Sequence, residues 1–146
     1  MILLDAYALV AAATGERAAV EVAELLRGGD CAVTTSNLAE LYDQLVRRVG
    51  LGVDVVDAHV QPLLGESLAV RDLDRERARR AGPLRAQLYR RRTAELSLAD
   101  CVLLASLEEG DTVATANPPL AHAARRLGHR VTPLPDSRGR RPSAPA

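Results

Sequence analysis

Three acidic residues, Asp5, Glu40 and Asp100, stand where short apolar stretches give way to helix starts: Ile2-Leu3-Leu4-Asp5, Ser36-Asn37-Leu38-Ala39-Glu40 and Ser97-Leu98-Ala99-Asp100. In a chain that alternates strands and helices, strand C-termini and helix N-termini gather at one edge of a parallel sheet, where such folds place their sites. Three carboxylates brought together there repel one another unless a cation sits among them. A fourth junction of the same kind, Thr115-Ala116-Asn117-Pro118, carries an amide instead of an acid. Each acid also has a structural explanation. Asn37 with Glu40, and Ser97 with Asp100, match the capping-box spacing, and Asp5 can cap the helix that follows it. The two explanations are compatible, because a residue in the first helical turn points toward the helix N-terminus. The repetition of apolar strand, acid and helix favours a cluster.

The elements that must position these residues are legible as alternating runs. Ile2–Asp5 reads as a buried strand followed by a short helix, Tyr7 to Ala13, and a second helix from Glu16 to Arg27. Cys31–Thr35 is the next strand, Asn37 starts a helix to Val49, Val53 to Leu64 is a further helix, and Leu68–Val70 is a weak strand. Leu73–Arg92 carries eight Arg on a helical pattern in which Gly82-Pro83 predicts a break or kink, since proline removes a backbone donor and crowds the preceding turn. Ser97–Glu109 reads as a helix, Thr112–Thr115 as a strand, Pro118–Leu127 as a helix and Arg130–Thr132 as a last strand. After Pro135 the chain lacks core-forming residues, so residues 136–146 are expected to be a disordered tail on a domain spanning 1–135.

Composition narrows the functions. The 146 residues suit one domain with a real core. The 19 basic and 19 acidic residues give no net charge, so no overall field draws in a polyanion. Every basic residue apart from the three His is Arg, which excludes chemistry that needs a lysine. Phe and Trp are absent and Tyr numbers three, so any nucleic-acid contact rests on charge and hydrogen bonds more than on stacking. Cys31 and Cys101 lack metal or disulfide spacing and read as buried thiols. His59, His122 and His129 show no ligand spacing and read as surface residues. No apolar run is long enough to cross a membrane, and the N-terminus lacks a basic leader, so a cytoplasmic, membrane-free protein is expected.

At this point the chain resembles the PIN-domain ribonucleases, and within them the VapC-type toxins of toxin–antitoxin pairs. The resemblance rests on Ile2-Leu3-Leu4-Asp5, Thr35-Ser36-Asn37-Leu38-Ala39-Glu40-Leu41, Leu96-Ser97-Leu98-Ala99-Asp100-Cys101 and Val113-Ala114-Thr115-Ala116-Asn117, in that order, across residues 1–135. It implies an α/β fold, a PIN-like three-layer sandwich whose mainly parallel central sheet of four to five strands is flanked by helices. It implies an Mg²⁺- or Mn²⁺-dependent endoribonuclease, a homodimer and a small cognate antitoxin. Asp5, Glu40 and Asp100 would be the catalytic residues, with Asp5 and Asp100 as the main metal ligands and Glu40 completing the cluster and orienting the attacking water. Hard oxygen ligands in small number suit such a cation, which keeps several waters.

Asn117 departs from the pattern, since most members of the family carry an acid there. Its carbonyl can still meet a cation or a water, and before Pro118-Pro119 it can equally serve as a helix cap. Asp111 precedes the strand and so lies at the wrong end to replace it. Arg90, Arg91 and Arg92 are candidate RNA contacts, against a solvated helix face or an antitoxin surface. Tyr7 and Tyr42 flank the acids and would line the mouth of the site or pack in the core. Phosphatases of the haloacid-dehalogenase type need a second Asp two positions after the first, where Tyr7 stands, and like receiver domains and P-loop enzymes they use a lysine. The competing function is a PIN-like protein with weakened catalysis that serves as an RNA- or protein-binding module.

Overall fold

The computed structural model describes residues 1–91 and 94–143. Five parallel strands form one sheet: β1 (Ile2–Leu4), β2 (Cys31–Thr34), β3 (Leu68–Arg71), β4 (Thr112–Thr115) and β5 (Arg130–Pro133), in the order β3-β2-β1-β4-β5. A parallel sheet needs cover on both faces, which is why its inner strands read as nearly unbroken apolar runs. Alternate residues divide between two cores. Leu4, Val33 and Ala114 pack with α1 (Ala6–Thr14), α2 (Ala19–Arg27), α3 (Thr35–Asp43) and α4 (Val53–Val60). Leu3, Ala32 and Val113 pack on the other face with α5 (Arg75–Leu88), α6 (Leu98–Ala105) and α7 (Pro118–Arg126). The three-layer α/β architecture expected from the sequence is the one found.

The strand order reverses between β1 and β4. The chain leaves β1 toward β2 on one side and returns through α5 and α6 to β4 on the other, so the β1–β4 crevice is the topological switch point. Asp5 directly follows β1, and Thr115 ends β4, with Asn117 two residues on.

Several expected boundaries move for identifiable reasons. Gly15, at φ 72°, takes the left-handed turn that ends α1, and the chain then completes a further turn before α2 begins at Ala19 rather than Glu16. The helix placed at Asn37 begins at Thr35, because Thr34 supplies the cap, accepting from the Asn37 amide at 3.1 Å. Beyond Asp43 that helix widens into π-helical turns over Gln44–Val49. The break expected at Gly82-Pro83 does not occur; α5 runs through Pro83. The carbonyl that loses its partner belongs to exposed Arg79, where water can satisfy it. The disordered tail is corrected as well. Asp136 accepts from the amides of Arg138 and Arg140, Arg141 makes a paired contact with Glu21 at 2.6 and 2.9 Å, and Pro142 is buried. Residues 136–143 are thus tied to the body, while 144–146 lie outside the described residues. Both cysteines are buried thiols, as expected.

Candidate active site

Asp5, Glu40 and Asp100 line a single pocket of about 380 Å³ over the switch point, together with Tyr7, Gln44, Arg85, Tyr89 and Asn117. Asp5 is 3% exposed and caps α1, its Oδ1 accepting from the Ala8 amide at 2.8 Å. Its Oδ2 accepts from the Thr115 hydroxyl, and the Thr115 oxygen in turn accepts from the Asn117 amide at 2.9 Å. The end of β4 therefore sets the orientation of Asp5. Thr115 is fully buried and was passed over in the sequence; a hydroxyl closing an apolar strand beside a predicted site was the available signal.

Asp100 is the third residue of α6 in a complete capping box. Its amide donates to Ser97 Oγ at 2.9 Å, and the Ser97 amide donates to Asp100 Oδ2 at 3.0 Å. The capping reading is correct for this residue, and its side chain also lines the acid pocket. Cys101–Ala105, directly behind it, are buried, so the acid sits on a helix anchored in the core. Glu40 is different. With the cap at Thr34, the capping position falls to Asn37, and Glu40 is left a turn further on with no capping duty. It is half-buried on α3, facing the same pocket.

The electrostatics are those of a site short of positive charge. Burial pushes the Asp5 carboxyl from 3.8 up to about 7, with the Asp100 and Glu40 charges adding to the rise against the bonds from Thr115 and Ala8. Burial likewise raises Glu40, helped by Asp100 and Asp43, and raises Asp100 against its bonds from Ser97. Among the described residues no group of three or more His, Cys, Asp or Glu side chains, these three acids included, is placed to hold a metal ion together. That excludes a ready-made tetrahedral zinc site and suits a hydrated divalent ion held by one or two carboxylates. Asp100 Oδ1 is free of the bonds that occupy Oδ2, and each Asp5 oxygen keeps a second lone pair.

The remaining expectations divide. Asn117 is the N-cap of α7, yet its side chain makes no capping bond and instead donates to Asp100 Oδ2 at 3.4 Å. Asp111 is engaged elsewhere, by Arg71 at 2.6 Å and the Met1 amino group at 2.9 Å. Tyr7 lines the pocket, with its hydroxyl 3.2 Å from Glu16 and from the Pro135 carbonyl. Tyr42 does not; its hydroxyl donates to Asp57 at 2.5 Å. Arg90 lies in a neighbouring cleft, Arg91 is exposed outside the acid pocket, and Arg92 lies outside the described residues. The arginine in the acid pocket is Arg85, from within the Arg-rich run and not from the Arg90–Arg92 cluster at its end. Its guanidinium stacks 4.7 Å over Tyr89, and its Nε donates to the Leu96 carbonyl at 3.4 Å.

A parallel doubly wound sheet with acids gathered at its switch point defines an α/β protein whose pocket lies where such folds place their sites. A model of the PIN domain matches residues 2–126, and the chain belongs to the PIN domain family, a family of nucleases. Two solved structures share the fold. FitAcB from Neisseria gonorrhoeae is 22% identical, with a TM-score of 0.61 over 90% of this chain and 96% of that one. VapBC2 from Rickettsia felis, bound to a DNA fragment from their promoter, is 19% identical, with a TM-score of 0.58 over 90% and 98%. No curated protein matches the sequence. No helix among the described residues is long and apolar enough to cross a membrane.

Proposed function

We propose that this protein is a metal-dependent endoribonuclease, the toxin of a toxin–antitoxin pair, with Asp5, Glu40 and Asp100 as its catalytic residues. The observation that carries the reading is the convergence of these three acids in one pocket at the switch point, with burial raising all three and the neighbouring carboxylates adding to the rise at Asp5 and Glu40. Asp5 and Asp100 would hold Mg²⁺ or Mn²⁺. When bound, the ion supplies an acidified water and neutralises charge on the scissile phosphate. Thr115 and Ala8 hold Asp5 in one rotamer, and Ser97 holds Asp100 in one. Glu40 has no such anchor and is placed to orient the attacking water and take its proton. Arg85, already fixed by Tyr89 and Leu96, offers a cation to the phosphate within the same pocket. The antitoxin partner and a homodimer follow from the resemblance to VapC-type toxins, and the shared fold with VapBC2 supports the first of these.

Incubation of the purified protein with RNA and Mn²⁺ tests the reading. Cleavage is expected that stops with chelator and leaves no 2′,3′-cyclic phosphate, because water and not the ribose hydroxyl attacks. Cyclic-phosphate products, or cutting that persists in chelator, would exclude this mechanism.

Asn117 gives a second expectation. The amide donates weakly to Asp100, which relieves part of the repulsion that a fourth carboxylate would add. Asn117→Asp is expected to bind Mn²⁺ more tightly by roughly tenfold, through stronger binding of a second ion, and to be less stable without it. Calorimetric titration of both proteins decides the matter; identical affinity and turnover would show that the fourth position plays no part.

A further inference from the structure

Leu96 separates the acid pocket from a second, larger cleft of about 710 Å³, and lines both. Pro118, next to Asn117, continues the wall into this cleft. The two cavities differ in charge. The second is lined by Arg90, which follows α5, and by His122, Arg125 and Arg126 of α7, with no Asp or Glu among its lining residues. In a chain with equal numbers of basic and acidic residues, this segregation is local. Cations in the last turn of α7 are favoured by the helix dipole. The dipole does not account for Arg90, which comes from another element to face them. Nor does it account for the lack of an answering carboxylate: among the described residues, none of the three arginines is in a salt bridge. Arg125 is fixed by the Ser143 carbonyl at 2.6 Å, and Arg90 by the Tyr89 carbonyl at 2.8 Å.

We infer that this cleft is the subsite for the RNA backbone on one side of the scissile bond, its cations meeting the phosphates that run on from the acid pocket. The inference rests on the ribonuclease reading of the adjoining pocket. A polynucleotide fits better than an acidic peptide, because a single strand crossing Leu96 carries phosphates from one cavity into the next. No Tyr, Phe or Trp lines the cleft, so its cations hold the strand by its phosphates and not by stacking on those rings.

The test is the double variant Arg90→Ala/Arg126→Ala, at two exposed positions outside the cores. Binding is measured by fluorescence anisotropy with a single-stranded oligoribonucleotide of roughly ten nucleotides. An Asp100→Asn background keeps the RNA uncut. Affinity is expected to fall on the order of tenfold, and the slope of log K against log salt to become shallower by roughly 1.4, about 0.7 for each phosphate that is no longer neutralised. In the active protein, kcat/KM for the same RNA falls by the same factor, while that for a dinucleoside phosphate, too short to reach the cleft, is unchanged. Unchanged affinity and salt slope would overturn the proposal. So would intact RNA binding combined with lost binding of a co-purified protein partner, which would assign the cleft to that partner. A wild type that binds RNA through the cleft but cuts nothing would sink the hydrolase reading and support the subsite.

Discussion

Asp5→Asn is expected to abolish cation-dependent RNA cleavage and, at the same time, to make the cation-free protein more stable above neutrality. The second effect follows from the sign of the Asp5 shift. Its carboxyl titrates near 7 in the fold, against an ordinary 3.8, with burial the largest cause. The folded protein therefore holds a proton that the unfolded chain has released. The stability this confers is complete below about pH 4 and is lost as the pH rises through about 7. At about pH 8 the ionised group costs the cation-free fold on the order of 4 kcal/mol. Asparagine carries no charge, keeps an acceptor for the Ala8 amide and can donate to Thr115 Oγ1. Alanine would also forfeit the helix cap, worth about 1 kcal/mol, which is why the amide is the better probe. Thermal unfolding at about pH 8 is expected to rise by ~5–10 °C in Asp5→Asn, with little gain near pH 5. The stabilisation that Mn²⁺ gives the wild type should disappear, and cleavage should fall by roughly three orders of magnitude. A lower melting temperature for Asp5→Asn at the higher pH would show that Asp5 serves the fold and not a cation.

Asp111→Ala is expected to be the most destabilising single substitution away from the site, by about 3–5 kcal/mol in urea unfolding at neutral pH. Asp111 is 4% exposed and Arg71 10% exposed, and their contact at 2.6 Å is joined by bonds from the Met1 amino group and the Glu108 amide. Burial alone would raise the Asp111 carboxyl, but Arg71, the Met1 amino group and the Glu108 amide outweigh it and hold it at about 2. Here the sign is the reverse of that at Asp5. The stability Asp111 contributes is present above its ordinary 3.8 and is lost as the pH falls toward 2. Removing the carboxylate leaves the Arg71 guanidinium with the Ser106 carbonyl at 2.6 Å and Glu108 no nearer than 3.8 Å. The double replacement Arg71→Met/Asp111→Leu should recover most of the loss, because a buried pair as a whole is worth little against apolar groups of similar size. A cost below about 1 kcal/mol for Asp111→Ala would contradict this account of the cluster.

The sheet and its two helical layers were legible because parallel strands buried on both faces leave an apolar signature that composition cannot hide. The three acids were legible for a related reason, since each is tied to a strand end or helix start that the pattern marks. What escaped the sequence depends on partners distant along the chain. Thr34 took the cap that Asn37 was expected to hold, and that one shift freed Glu40 from a structural role. The hold of Thr115 on Asp5 spans 110 residues, and that of Arg141 on Glu21 spans 120. The segment after Pro135 looked disordered because it brings few apolar residues; polar contacts fix it instead. Arg85 was indistinguishable from its neighbours in an Arg-rich helix until the fold turned it toward the acids. The basic cleft needed the segment at the end of α5 brought to α7, which no local pattern encodes.

The central claim is that Asp5 and Asp100 hold the divalent ion with which this protein cuts RNA, while Glu40 orients the attacking water. Asp100→Asn tests it most directly, because the amide oxygen can still accept from Ser97 and keep the capping box. Mn²⁺ binding by calorimetry and cleavage of one RNA should be followed over the same ion concentrations in wild type and variant. The account predicts that wild-type cleavage saturates with ion binding and that both are lost in the variant while its fold persists. Cleavage at the wild-type rate by Asp100→Asn, or by the wild type in chelator, would contradict it.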